Sequence, residues 1–176
     1  RPELPFEQAT VGDALALLNQ LQTATGGLVE AFEFMPDTYL HRLAVVRPDL
    51  GQPFDTIPPV SLLIELGATA PALTEAGPDG SVPLVNLLEA ALAPMMEQGA
   101  ITDATLARSE AQRRAMWARR EAAAQLTLGV HPAVDTDVSL PLTGVVRFLT
   151  QATDRLRALD PGVRTLTVGH LGDGNL

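Results

Sequence analysis

Val134-Asp135-Thr136-Asp137-Val138-Ser139-Leu140 decides the reading of the fold. Side chains alternate across a strand, so Val134, Val138 and Leu140 share one side while Asp135, Asp137 and Ser139 share the other. A strand buried on both faces is almost wholly apolar, as in parallel α/β sheets. This one predicts a sheet with an open polar face. Val29 to Met35 repeats the pattern, with Phe32 and Phe34 opposite Ala31, Glu33 and Met35; so does Val60 to Leu66, with Glu65 on the polar side. The last strand is expected over Val163 to Val168.

Between the strands the apolar spacing is helical. Ala14, Leu15, Leu17, Leu18 and Leu21 follow Asp13 with helical period, and Gly26-Gly27 provides the stop. A weaker helix is expected around Thr38 to Val46. Leu84 to Gln98 carries a broad apolar stripe ended by Gly99, with Pro94 as a potential kink. Ser109 and Gln112 form a capping-box pattern that opens a helix to about Leu126, and Leu142 to Leu159 reads as the last helix, stopped by Pro161-Gly162. The Pro/Gly-rich segments near 47 to 59 and 67 to 83 read as loops within one domain. Together these elements predict an α+β, ferredoxin-like fold: a mainly antiparallel sheet with helices on one face, the other face free to cover a second domain.

Composition narrows the function. At 176 residues, 46% hydrophobic and 19% charged, the chain has the content of an ordinary globular domain. The net charge of −9, with no broad cluster of Lys or Arg, argues against a nucleic-acid partner. Without cysteine there is neither a disulfide framework nor a thiolate metal site, so a cytoplasmic location is the default expectation. No apolar run approaches the roughly 20 residues that span a bilayer.

Three stretches carry chemistry. The first is Gly169-His170-Leu171-Gly172-Asp173-Gly174-Asn175-Leu176, a turn dense enough in glycine to hold an imidazole, a carboxylate and free backbone N–H groups together. It suits a metal or a cofactor contact; the alternative is an ordinary surface turn. It is not a dinucleotide fingerprint, since the Gly-x-Gly-x-x-Gly spacing and the following helix are missing. In the second, Trp117 and Arg120 are neighbours on one helix face, where a guanidinium beside an apolar wall grips a carboxylate with paired hydrogen bonds. The alternative is a buried anchor tryptophan among solvated charges. The third is the pair Asp135 and Asp137, able to bind a cation or share a proton, or simply a solvated strand face. His41 and His131 lack ligand-spaced partners and read as surface or turn residues.

Taken in order, Phe32-Glu33-Phe34-Met35, Ser109-Glu110-Ala111-Gln112, Trp117-Ala118-Arg119-Arg120-Glu121, Asp137-Val138-Ser139-Leu140-Pro141 and Gly169 to Leu176 resemble the C-terminal domain of FAD-linked oxidases, the family of D-lactate dehydrogenases, glycolate oxidase FAD subunits and D-2-hydroxyglutarate dehydrogenases. The resemblance implies that residues 1–176 are a partial C-terminal substrate or cap domain, with the FAD-binding domain and the final C-terminal segment outside it. The whole protein would oxidise a D-2-hydroxy acid, lactate- or glycolate-like, by hydride transfer to FAD, and the isolated chain is expected to show no turnover. Arg120 matches the arginine that pairs with the substrate carboxylate, and His170 the first histidine of a divalent-metal site, usually zinc. The implied partners are the small 2-hydroxy acid, the FAD-binding domain of the same polypeptide and a homodimer mate. Asp135 and Ala124 stand where 2-hydroxyglutarate dehydrogenases commonly carry a lysine and a hydroxyl-bearing residue, so a monocarboxylate is expected. The competing expectation is a non-catalytic ferredoxin-like ligand-binding or assembly module.

Overall fold

The computed structural model describes residues 6–128 and 132–176. His131 lies outside the described residues. Helix α1 (Phe6–Thr25) begins a full two turns before Asp13. Its stripe of Val11, Ala14, Leu17, Leu18 and Leu21 is buried. It ends where Gly26 and Gly27 take φ of 66° and 85°, and the Gly27 N–H returns to the Gln22 carbonyl at 2.8 Å. Only glycine enters that left-handed region without a steric penalty, and the returning bond satisfies a helix-end carbonyl.

Strand β1 (Val29–Pro36) pairs antiparallel with β2 (Val60–Leu66), Phe32 opposite Ile64 and Phe34 opposite Leu62. Helix α2 (Asp37–Val46) and a 3-10 turn at Pro48–Leu50 connect them. The short α3 (Pro71–Thr74) leads to α4 (Pro83–Glu97), which carries Pro94 inside it. Helices α5 (Glu110–Glu121) and α6 (Ala123–Leu128) replace the single helix expected to Leu126, the break falling at Ala122. Helix α7 spans Leu142–Leu159 as the periodicity predicts. Strand β3 (Gly169–His170) closes a three-stranded sheet in the order β2-β1-β3, antiparallel to β1.

The α+β class and the antiparallel sheet are therefore as expected. The open face is not observed. Phe32, Phe34, Leu62 and Ile64 meet α1, α4 and α7 on one side, while Met35 and Leu63 meet Tyr39, Leu40 and Leu43 of α2, Ala122 at the α5–α6 break and Leu126 of α6 on the other. The physical reason is that the acidic residues of that second face are neutralised by side chains from α5 and β3, so their charge does not require water.

Two expected strands also dissolve. Residues 134–138 form no ladder and Val134 is 89% exposed; only Ser139 bridges Asn175. Alternation makes a strand only where a neighbour supplies backbone partners, and the pairs observed here are Val138 with Leu176 and Leu140 with Gly174. Residues 163–168 run irregularly, with Leu166 and Val168 packed beside α2 and α6, and pairing starts only at Gly169.

Candidate functional site

Helix α5 starts at the expected Ser109 cap, with the return bond of the box shifted by one residue to Arg108. The Ser109 hydroxyl accepts the Gln112 N–H at 3.2 Å, and the Gln112 side chain accepts the Arg108 N–H at 2.6 Å. That start sets the phase of the helix, so Arg113, Trp117 and Arg120 fall on one stripe at spacings of four and three. The stripe faces the acidic row of the sheet. Glu65 of β2 accepts Trp117 Nε1 at 2.7 Å and both Nε and a terminal nitrogen of Arg113 at 3.0 and 2.6 Å. Partial burial alone would raise the Glu65 pKa; the Arg113 and Trp117 hydrogen bonds outweigh it and hold the carboxyl below its ordinary value.

One strand inward, Glu33 of β1 is the pivot. Its side chain is 5% exposed, and its two oxygens go to different partners. Oε2 accepts Arg120 Nε at 2.7 Å, and Oε1 meets His170 Nδ1. Register explains the second contact, since His170 lies directly opposite Glu33 across the β1–β3 pair. Arg120 is 18% exposed along its side chain, and Nε is the only guanidinium nitrogen with a hydrogen bond among the described residues. Its two terminal nitrogens are left to present a fork to a ligand.

Tyr39 holds the end of α5 from below. Its hydroxyl donates to the Arg119 carbonyl at 2.6 Å, with the Arg120 carbonyl at 3.0 Å. Burial pushes its pKa up to about 12 against a partial lowering by the Arg120 charge, so it remains a hydrogen-bond donor throughout the physiological range.

The terminal turn is braced by the segment that was expected as a strand. Val138 N–H donates to the Leu176 carbonyl at 3.0 Å, Leu140 N–H to the Gly174 carbonyl at 3.0 Å, and Asn175 Nδ2 to Asp137 at 2.6 Å. Gly172 lies under the imidazole, where an added Cβ would come 2.9 Å from His170 Nε2. With Nδ1 on a carboxylate and Nε2 over an empty glycine, the ring has the arrangement of a metal-binding histidine with its outer partner in place. It fits as a single donor. The described residues contain no group of three His, Cys, Asp or Glu that could hold a metal. Asp137 is engaged by Asn175 and Asp135 is exposed, so the acidic pair does not form a cation site. His41 is exposed on α2, as expected.

A cleft of about 860 Å³ follows the free edge of β2, walled by Leu17, Leu62, Leu88, Phe54 and Trp117. None of Glu33, Arg120 and His170 lines it, so the cleft and the carboxylate-centred cluster are separate features. No helix among the described residues is long and apolar enough to cross a membrane.

The sequence picks out Arg120 and His170 separately, and the structure joins them. It places Glu33 and Glu65 on the polar side of their strands and reads that side as solvated, which misses both as partners. The available signal was acidic residues recurring on one strand face together with a helix carrying Arg113, Trp117 and Arg120 at spacings of four and three. Tyr39 carried no signal beyond being the chain's sole tyrosine.

A helix-borne arginine and a strand-borne histidine, converging on one buried carboxylate over a doubly covered antiparallel sheet, define the class of domain, and the chain belongs to the family described as FAD linked oxidases, C-terminal domain, whose model matches residues 6–176. Among curated proteins it is similar to D-2-hydroxyglutarate dehydrogenase of Xanthomonas citri pv. viticola, 30% identical over 148 residues, 84% of this chain and 28% of that protein. It is also similar to D-2-hydroxyglutarate dehydrogenase of Stutzerimonas stutzeri, 31% identical over 149 residues, 83% of this chain and 29% of that protein. The mitochondrial D-2-hydroxyglutarate dehydrogenase of Bos taurus is 28% identical over 165 residues, 93% of this chain and 28% of that protein. The chain thus spans less than a third of the length of these relatives.

Proposed function

We propose that this chain is the substrate-covering C-terminal part of a flavoenzyme that oxidises a D-2-hydroxy acid to the 2-oxo acid. The observation that carries the reading is the free fork of Arg120, held at the sheet by Glu33 beside His170. A substrate carboxylate on that fork would gain two parallel charge-assisted hydrogen bonds and a fixed orientation. The α carbon would then be turned toward a flavin presented by the FAD-binding domain of the same polypeptide. FAD, when bound, accepts the hydride. No glycine-rich turn among the described residues has the fingerprint that cradles its pyrophosphate, so the part of this chain is to bind and orient the acid.

His170 would donate Nε2 as one ligand to a divalent cation, with the remaining donors outside the described cluster. The chemistry such an ion would supply is polarisation of the 2-hydroxyl, lowering the cost of removing its proton. On the substrate itself, Asp135 and Ala124 stand where a second carboxylate would need a cation and a hydroxyl, which favours a monocarboxylate such as D-lactate or glycolate. The names of the relatives favour 2-hydroxyglutarate instead, and one assay separates the two.

The test is anaerobic bleaching of the full-length flavoprotein by D-lactate, glycolate and D-2-hydroxyglutarate. Bleaching by a monocarboxylate, with KM raised about 100-fold by Arg120→Ala, supports the assignment. Bleaching by D-2-hydroxyglutarate alone places Asp135 outside the pocket and removes the monocarboxylate reading. A purified protein that neither carries nor takes up flavin defeats the function altogether.

A further inference from the structure

We propose that Glu33 is a positioning residue that sets Arg120 and His170 together, one through each oxygen of a single buried carboxylate; the inference rests on the function proposed above. Among the described residues, no other side chain hydrogen-bonds both Arg120 and His170. Glu33 lies 87 positions from Arg120 and 137 from His170, so the three meet only because β1 is the central strand, flanked by β3 and reached by the Arg120 side chain from α5.

The alternative role is that of a plain fastener for α5, and the structure supplies other fasteners. Glu65 ties down Arg113 in the first turn and Trp117 in the third, and Tyr39 holds the carbonyls at the last. Docking of the helix therefore does not require Glu33. What Glu33 alone determines is side-chain orientation. By taking Arg120 at Nε, it leaves both terminal nitrogens free. By accepting from Nδ1, it places the ring proton of a neutral His170 there and leaves the Nε2 lone pair over Gly172.

Glutamine at this position preserves shape and removes one acceptor. If its carbonyl serves Arg120, its NH2 faces Nδ1, which must then accept, and the ring proton moves to Nε2. If it flips, the NH2 opposes the Arg120 N–H. Either way one of the two orientations is lost.

For the tautomer, the full-length flavoprotein is labelled with 15N-histidine, freed of divalent metal by chelation and held well above the ordinary imidazole pKa. In the unaltered protein His170 is expected to carry its proton on Nδ1, and in Glu33→Gln on Nε2. With flavin content unchanged, Glu33→Gln is expected to raise KM for D-lactate roughly 10- to 100-fold, as loss of an orienting partner does. Glu33→Asp, which keeps the charge, restores the Nδ1 proton and part of the KM. In the double variant with Arg120→Ala, Glu33→Gln adds little further loss, because its effect on KM runs through Arg120. A tautomer and a KM both unchanged in Glu33→Gln, or KM losses that multiply in the double variant, overturn the inference. Absence of bleaching by any hydroxy acid is instead the failure of the function, and the tautomer comparison then decides alone whether Glu33 orients His170.

Discussion

Gly174→Ala is expected to detach the terminal turn from the segment that braces it. Gly174 has φ of 77°, a left-handed conformation that costs a residue with a side chain about 1 kcal/mol. Its Cβ would also fall inside contact distance of the Leu140 carbonyl oxygen, which is backbone and cannot rotate away. The bond from Leu140 N–H to the Gly174 carbonyl at 3.0 Å would then open, and it is one of three across this bridge, with Val138 to Leu176 at 3.0 Å and Leu176 to Val138 at 2.9 Å. Each is worth about 1 kcal/mol net. The local opening free energy should therefore fall by about 2 to 4 kcal/mol, or roughly 30- to 1000-fold in amide exchange rate. Deuterium exchange of the peptides covering 138–140 and 174–176 in the full-length protein measures it. Gly172→Ala is the control, since its nearest obstacle is the tip of the His170 ring, which swings aside and leaves the bridge protected. Exchange in Gly174→Ala within about threefold of the unaltered protein would refute the reasoning.

Tyr39→Phe leaves the Arg119 carbonyl without its partner and should cost about 1–2 kcal/mol of local stability, read as roughly tenfold faster exchange at the end of α5, with a raised KM. Ser109→Ala should cost about 1 kcal/mol at the other end, speeding exchange of the first turn of α5 while leaving KM unchanged. The depressed Glu65 pKa gives a signed pH dependence. Its contribution is fully present above the ordinary glutamate value of about 4.3 and is lost as pH falls through the lower folded value. The urea midpoint of the unaltered protein should thus exceed that of Glu65→Gln near neutrality and converge on it in acid; a gap that persists or widens in acid would contradict the Glu65 pairing.

The helices were legible because their causes are local. The Ser109 cap, the Gly26-Gly27 stop and the periodic stripe of residues 142–159 act within a few residues of themselves, and each appears where expected. The register of β1 and β2 follows from their matched apolar faces. The strand expected at 134–140 failed for the opposite reason. Alternation states which way side chains would point, while a ladder depends on where a distant segment of the chain lies, and the pairing observed falls at 138–140. The break between α5 and α6 at Ala122 also escaped, because a helical pattern continues across it.

By itself the sequence determined the periodic elements, the antiparallel α+β class, and Arg120 and His170 as the residues worth watching, since composition, spacing and turn chemistry are properties of short stretches. Only the tertiary structure decided that the acidic face is covered, that Glu65 anchors α5, and that Glu33 joins the arginine to the histidine. A charge on a strand reads as solvent-facing until its counter-charge is placed. Here the counter-charge arrives from far along the chain, by a topology that no local pattern encodes.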